Sequence, residues 1–194
     1  MTVEDKSARR RSCILASVKQ ALNEVEYHQL TVEDIASRAG VGKSTIYRWW
    51  SHKSELVLDT FKELTLSIFE FEPELDLEQN LNQQLLRLAE ALNHPVGRAM
   101  LVVMANHREL AATFFKQYLL PKRVQLHHLI QKAIEAGELI EHDHYDLVLD
   151  RLYGPIHYQI IFFNHLPDEH YIRQLVKLSL DPLRPQAQTL MRQE

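Results

Sequence analysis

One cysteine among 194 residues excludes an internal disulfide and a multi-cysteine zinc site. Cys13 falls in an amphipathic stretch and reads as a small helix residue. Five glycines and seven prolines leave few places where a helix must stop, and the Val/Ile/Thr alternation that marks strands is missing. No run of about 18 apolar residues is free of charge, so no membrane span is expected. The opening MTVEDKSARRRS is too polar for a secretory signal and points to the cytoplasm. Also lacking are a glycine-rich phosphate loop, paired carboxylates and a nucleophile with its base at convincing spacing. The seven tyrosines and eleven histidines are scattered. The chain reads as neither an enzyme nor the holder of a cofactor.

What is present is a wealth of helix formers: Leu, Ala, Glu, Gln and Arg recur in long runs, and the expected fold class is all-α. The length suffices for one medium domain or a small one joined to a larger one. Net charge is −4 but unevenly spread. Between Lys6 and Lys53 nine basic residues stand against four acidic ones, a local +5 that leaves −9 for the remainder. Positive charge confined to one end is the footprint of a nucleic-acid-binding head on an acidic body.

Along the chain, Ile14, Leu15, Val18, Ala21, Leu22 and Val25 form one helical stripe over about 10–25. Thr31 and Asp34 have capping-box spacing and start a second helix that Gly40 ends, its positive φ making a tight turn. A third helix is expected over 43–50, and Ser51 as N-cap opens a fourth over 55–71. Acid-rich 72–78, with Pro73, reads as a solvated connection. Later helices are expected at 81–92, 100–118, 124–136, 146–166 with a kink at Gly154 and Pro155, and 168–180. This divides the chain into a three-helix head, residues 1–60 with a helix-turn-helix at about 31–50, and a helical body, residues 61–194.

The segment TVEDIASRAGVGKSTIYRWW has the logic of two short helices packed across a fixed turn. Ala36 is small where they cross, and Ile35, Ala39, Val41, Ile46 and Trp50 are expected to be buried. The opposite face carries Lys43, Ser44, Thr45, Tyr47 and Arg48, which supply charge and hydroxyls for phosphates and an aromatic for the backbone or a thymine methyl. Trp49 and Trp50 cannot both point inward. Trp49 is placed at the edge, where its indole N–H can donate to a phosphate. Arg9 to Arg11 read equally as an arm reaching for DNA or as a basic tail.

TVEDIASRAGV, KSTIYRWW and HKSEL together resemble the DNA-binding domain of the tetracycline-repressor (TetR) family of bacterial regulators, over about residues 10–61. The resemblance implies DNA contacts at Thr31, Lys43, Ser44, Thr45, Tyr47, Trp49 and Lys53, with Arg48 and His52 as additions. One departure is Glu26, where such proteins usually carry glycine. The stretch ending KAIEAGEL and the later LYGPIHYQ resemble a C-terminal type of the same family. The implied function is sequence-specific transcriptional regulation, usually repression, with a near-palindromic double-stranded operator bound by a homodimer and released or gripped according to a small-molecule effector. Control by a protein partner fits the same residues, and an apolar-lined cavity would separate the two.

Two copies of one reading head are needed for affinity, on half-sites about 34–36 Å apart or a multiple of that. The expected pairing surface is the last two long helices, through Leu149, Leu152, Ile156, Ile160, Phe163, Leu175 and Leu178. Leu147, Ile161 and Phe162 add more apolar side chains than one stripe needs. A candidate effector pocket comprises Met100, Met104 and His107, with Phe114, Phe115, Tyr118, Tyr153 and His157, adaptable and aromatic side chains that suit a small molecule. The same residues also fit plain core. His142 with His144, and His127 with His128, are histidine-rich sites. An exposed interhelical loop accounts for the first and diverging helix positions for the second, so no metal is expected.

Overall fold

The structure, a computed structural model, describes residues 3–141 and 143–185. Its helices are α1 (Val3–Leu22), α2 (Val32–Arg38), α3 (Lys43–Tyr47), α4 (Lys53–Leu64), α5 (Leu77–Asn93), α6 (Pro95–Asn106), α7 (Arg108–Phe114), α8 (Leu120–Glu135), α9 (Tyr145–Phe162) and α10 (Glu169–Leu180). Two 3₁₀ turns (Leu66–Phe69, Asp181–Leu183) and a π turn (Phe115–Leu119) complete them, and there is no strand among the described residues. The all-α expectation is met.

Two compact units divide the chain: residues up to 70 with 88–120, and 71–87 with 121 onward. The expected division at residue 60 therefore differs from the compact units. In the first unit α4 packs along α6 and α1, and α1 also packs against α2 and α6. That unit thus keeps α4, α6 and α7 with the head. Ile14, Leu15, Val18, Ala21, Ile35, Leu56, Val57 and Val103 are sealed in its core. Burying each large aliphatic side chain contributes about 1.5–3 kcal/mol.

Helix ends follow local chemistry. His94 accepts the Val96 N–H through Nδ1 at 3.1 Å, and Pro95 occupies the first turn of α6, where a missing N–H costs nothing. Gly97 lies so close to α5 that a Cβ would stand 2.1 Å from the Ala91 carbonyl oxygen. The π turn lets Phe114 pack between Phe61 and Tyr118, with ring centroids 6.4 and 5.1 Å away, while the Tyr118 hydroxyl meets Thr65 Oγ1 at 2.5 Å.

In the second unit α9 and α10 pack together, and Arg151 on α9 donates to the Leu178 carbonyl on α10 at 2.8 Å. Arg123 on α8 grips Asp146 and Asp150 on α9 at 2.7 and 2.9 Å. Asp168 caps α10 by accepting from the Tyr171 N–H at 2.8 Å. Pro155 sits inside α9, which runs without interruption to Phe162.

The expected pairing residues need correction here. Leu149, Leu152, Ile156 and Ile160 are at most 1% exposed, already covered within this chain, and have no area to offer a partner. They form the inner stripe of α9. Its outer stripe carries Leu147, Arg151, Gly154, Tyr158 and Ile161, and Phe162 and Phe163 follow with Phe162 72% exposed. Of the expected set only Phe163 and Leu178 are exposed, and Leu175 is half-buried.

Candidate nucleic-acid interface

The reading head is built around one turn. Thr31 is the N-cap of α2, its Oγ1 accepting the Asp34 N–H at 3.2 Å. The reciprocal half of the expected capping box is replaced: the Asp34 carboxylate accepts from Arg38 at 2.8 Å. Arg38 also holds Glu24 through two bonds of 2.7 Å, tying α2 to the end of α1. These hydrogen bonds hold the Glu24 carboxyl below its ordinary range and raise the guanidinium above its own.

At the end of α2, Gly40 takes φ +62°, as its position demands. The Gly40 N–H donates to the Ser37 carbonyl at 3.2 Å and the Val41 N–H to that of Ala36 at 3.0 Å. This pair of bonds is a Schellman closure, which redirects the chain within two residues. Gly42 then serves as N-cap of α3, with ψ 148°.

Ile46 faces inward, 1% exposed, and Trp50 is 3% exposed. The Trp50 indole N–H donates to Asp59 Oδ2 at 2.9 Å. Asp59 also accepts from Arg11 at 2.8 Å and Lys62 at 3.0 Å. Burial alone would push its carboxyl upward, but the bonds from Trp50, Lys62 and Arg11 outweigh that and hold it low. Arg11 lies over the Trp50 ring, 5.5 Å from its centroid. It is therefore part of the scaffold of the head, not of an arm.

Outward from this backing stand Lys43, Ser44, Tyr47 and Arg48, all exposed, with Thr45 and Trp49 half-exposed. The tryptophans divide as expected, Trp49 to the edge and Trp50 to the core. The helix itself is shorter than expected, ending at Tyr47. Ala39 and Val41, expected to be buried, remain half-exposed beside the turn. His52, not Ser51, is the N-cap of α4, and the Ser51 N–H instead donates to the Glu55 carboxylate at 2.7 Å. Glu26 adopts no positive φ, so the turn after α1 does without the glycine conformation.

Both expected lysine contacts are held by groups of this chain. Lys43 Nζ lies 2.8 Å from Glu33 Oε1. Lys53 points inward, its ammonium donating to the carbonyls of Leu30 at 2.8 Å, Tyr27 at 3.0 Å and His28 at 3.4 Å. It also stands 4.7 Å over the Tyr27 ring. Sequence reasoning missed Glu33, Asp59 and Arg38. The i, i+4 spacing of Asp34 and Arg38 was the one readable signal among them.

The expected effector residues fall in different units. In the first, Met100 and Phe114 are core, Met104 and Tyr118 half-buried, and His107 and Phe115 exposed. A groove of about 770 Å³ in that unit has other walls, Leu22 to Gln29 facing Pro95, Arg98, Ala99 and Val102. In the second unit the Tyr153 hydroxyl donates to Gln84 Oε1 at 2.9 Å, and His157 Nδ1 lies 2.9 Å from the Tyr153 carbonyl. Burial pushes the Tyr153 phenol upward, so the group stays a donor. Gln84 is 2% exposed and its Nε2 has no partner. His142 lies outside the described residues. His127 shares a cleft of about 480 Å³ with Asp143, His144, Tyr145 and Asp146. No three metal-ligating groups converge among the described residues.

Comparison with known proteins matches this architecture. Residues 14–60 fit the family model described as bacterial regulatory proteins, tetR family, and residues 72–178 fit the tetracyclin repressor-like C-terminal domain. The chain is 30% identical over 173 residues to the uncharacterized HTH-type transcriptional regulator Rv1556 of Mycobacterium tuberculosis, spanning 86% of this chain and 84% of that one. It is 29% identical over 166 residues to the uncharacterized HTH-type transcriptional regulator YdeS of Bacillus subtilis, spanning 84% of each. In fold it is similar to the TetR family regulator SCO0332, with TM-score 0.72 and 24% identity, covering 91% of this chain and 99% of the other. It is also similar to SmeT, the repressor of a Stenotrophomonas maltophilia multidrug efflux pump, with TM-score 0.65 and 15% identity over 91% of each. With both family models on one chain, and with a helix-turn-helix head whose basic helix faces outward, the chain belongs to the TetR family of DNA-binding transcriptional regulators.

Proposed function

We propose that the chain works as a cytoplasmic homodimeric repressor that reads a near-palindromic operator with two copies of α3 and loses affinity when a small molecule occupies its C-terminal domain. The observation that carries the DNA-reading part is the backing of α3. Ile46 and Trp50 anchor one side, and Lys43, Ser44, Tyr47 and Arg48 stand exposed on the other. In this reading Lys43 and Arg48 hold phosphates, Ser44, Thr45 and Tyr47 meet base edges or backbone, and Thr31, Trp49 and His52 flank the groove. Lys53 acts from behind, as a clamp.

Pairing is assigned to the outer stripe of α9 with α10. Tyr158, Ile161, Phe162, Phe163 and Leu178 present more exposed apolar surface than isolated side chains do. Gly154 on the same stripe has nothing within 4 Å of its Cβ position, so two helices can approach closely there. A second copy of the chain brings the same face to itself, as an isologous contact requires.

Effector control is supported by the match of 72–178 to the repressor-like C-terminal domain and by the likeness to SmeT, itself a repressor. Tyr153 and the unpartnered Nε2 of Gln84 are the polar groups to test first as ligand contacts. Effector binding shifts the two reading heads, and DNA affinity changes by that coupling.

The experiment is fluorescence anisotropy with DNA from the flank of the protein's own gene, over a salt series, for wild type, Tyr47→Ala and Lys43→Ala. The expected result is one tight dimeric site, with Tyr47→Ala weaker by about 5- to 100-fold. Equal binding by all three proteins on that DNA and on unrelated DNA sinks the assignment of α3.

A further inference from the structure

Lys43 opens α3, and in the free protein its ammonium is held by a neighbour on α2. Glu33 Oε1 sits 2.8 Å away, with both side chains more than half exposed. A carboxylate at that distance occupies the place a DNA phosphate oxygen would take, because both are anionic oxygen acceptors for the same N–H donors. Each holds the other in its charged form: the Glu33 carboxyl lies below its ordinary range through the Lys43 hydrogen bond, and the ammonium lies above its own. Glu33 also stands in the first turn of α2, where an acid is favoured by the helix dipole.

We infer that Glu33 is a phosphate mimic that competes with DNA for Lys43, setting a sequence-independent brake on the protein's affinity for any duplex. The inference rests on the reading of Lys43 as a phosphate contact. When the head approaches DNA, Lys43 leaves Glu33 for a phosphate and the intramolecular pair is lost. That cost falls on every sequence alike, since phosphates carry no base identity. A base-reading role for Glu33, accepting from a cytosine amino group, would act on the operator alone.

The test compares wild type, Glu33→Gln, Glu33→Ala, Lys43→Ala and Glu33→Gln/Lys43→Ala on two duplexes of about 30 base pairs. One is selected by the wild-type protein from a random pool, and the other has a scrambled sequence. Circular dichroism checks that each variant folds, and Glu33→Ala serves as a second reading where the glutamine itself bonds Lys43. Both Glu33 variants are expected to bind each duplex about three- to tenfold tighter as dimers at 0.1 M salt, by similar factors on the two DNAs. The salt slope stays close to that of wild type, since Lys43 reaches the same phosphate in both, and the gain vanishes when Lys43 is already alanine. Unchanged or weaker binding on both duplexes overturns the inference, as does a loss confined to the selected duplex. A gain that survives in the Lys43→Ala background overturns it too, since Glu33 would then act as a bare negative charge. Failure of the underlying reading is distinguishable: Lys43→Ala by itself would leave binding and salt slope unchanged.

Discussion

The ammonium of Lys53 lies 2.8 Å from the carbonyl oxygen of Leu30, with that of Tyr27 at 3.0 Å. The first turn of α4 thereby holds the loop that delivers the chain into α2. A surface lysine that contacts phosphate contributes to DNA binding and little to folding, whereas this ammonium is taken up by carbonyls of its own chain. Lys53→Met is expected to lower unfolding free energy by about 1–3 kcal/mol, from lost charged hydrogen bonds and the carbonyls left short of a donor. Urea denaturation measures the loss. The salt slope of DNA binding should stay unchanged, whereas removing a phosphate contact lowers it by about one.

Asp59 gathers Trp50, Arg11 and Lys62 around one carboxylate and is held below its ordinary value of 3.8. A depressed folded pKa means stability that is present above the unfolded value and lost as pH falls through the folded one. Asp59→Asn should therefore cost about 1–3 kcal/mol at pH 7, and its stability should converge with that of wild type as pH drops below the ordinary carboxylate range. Denaturation curves from pH 7 to pH 2, followed by circular dichroism, test this. A gap that stays constant with pH would show that Asp59 contributes through shape alone.

At Gly40 the demand is on backbone, not space. Its φ is +62° and a Cβ would meet nothing within 4 Å. Gly40→Ala is expected to cost about 1–2 kcal/mol from the left-handed conformation alone. Gly40→Asn should cost less, because asparagine visits that region more readily. Equal melting temperatures for the two variants would contradict this order.

The two stripes of α9 predict opposite outcomes for one substitution. Ile161→Asp, on the outer stripe, should leave a folded chain that sediments as a monomer. Ile160→Asp, at 1% exposure, should unfold it, since an unpaired buried charge exceeds what a domain of this size can bear. Analytical ultracentrifugation with circular dichroism separates the two. A folded dimer with Ile161→Asp would move the pairing surface elsewhere.

Much of this was readable in the chain. The Thr31 cap, the turn at Gly40, the split between Trp49 and Trp50 and the start of α10 at Asp168 each follow from side-chain chemistry within four residues. What was not readable involves partners distant in sequence. Lys53 and Leu30 are 23 residues apart, and Asp59 and Arg11 are 48 apart; no periodicity announces either pair. The phase of α9 was lost for another reason. Apolar residues lie on both of its faces, so its stripe cannot say which face is already covered. In the same way the π turn shifts Phe115 outward and keeps Phe114 in the core, a one-residue offset that a 3.6-residue count does not foresee.

The single thiol has a use that follows from where it sits. Cys13 is exposed on α1, and its Sγ lies 3.9 Å from the carbonyl oxygen of Ala39, at the turn that aims the recognition helix. With no other cysteine in the chain, one spin label attaches to each subunit without mutagenesis, beside the part whose placement decides the outcome. In a dimer the separation of the two labels would then give the spacing of the reading heads as a distance distribution, recorded with and without operator, and track how any added compound redraws it.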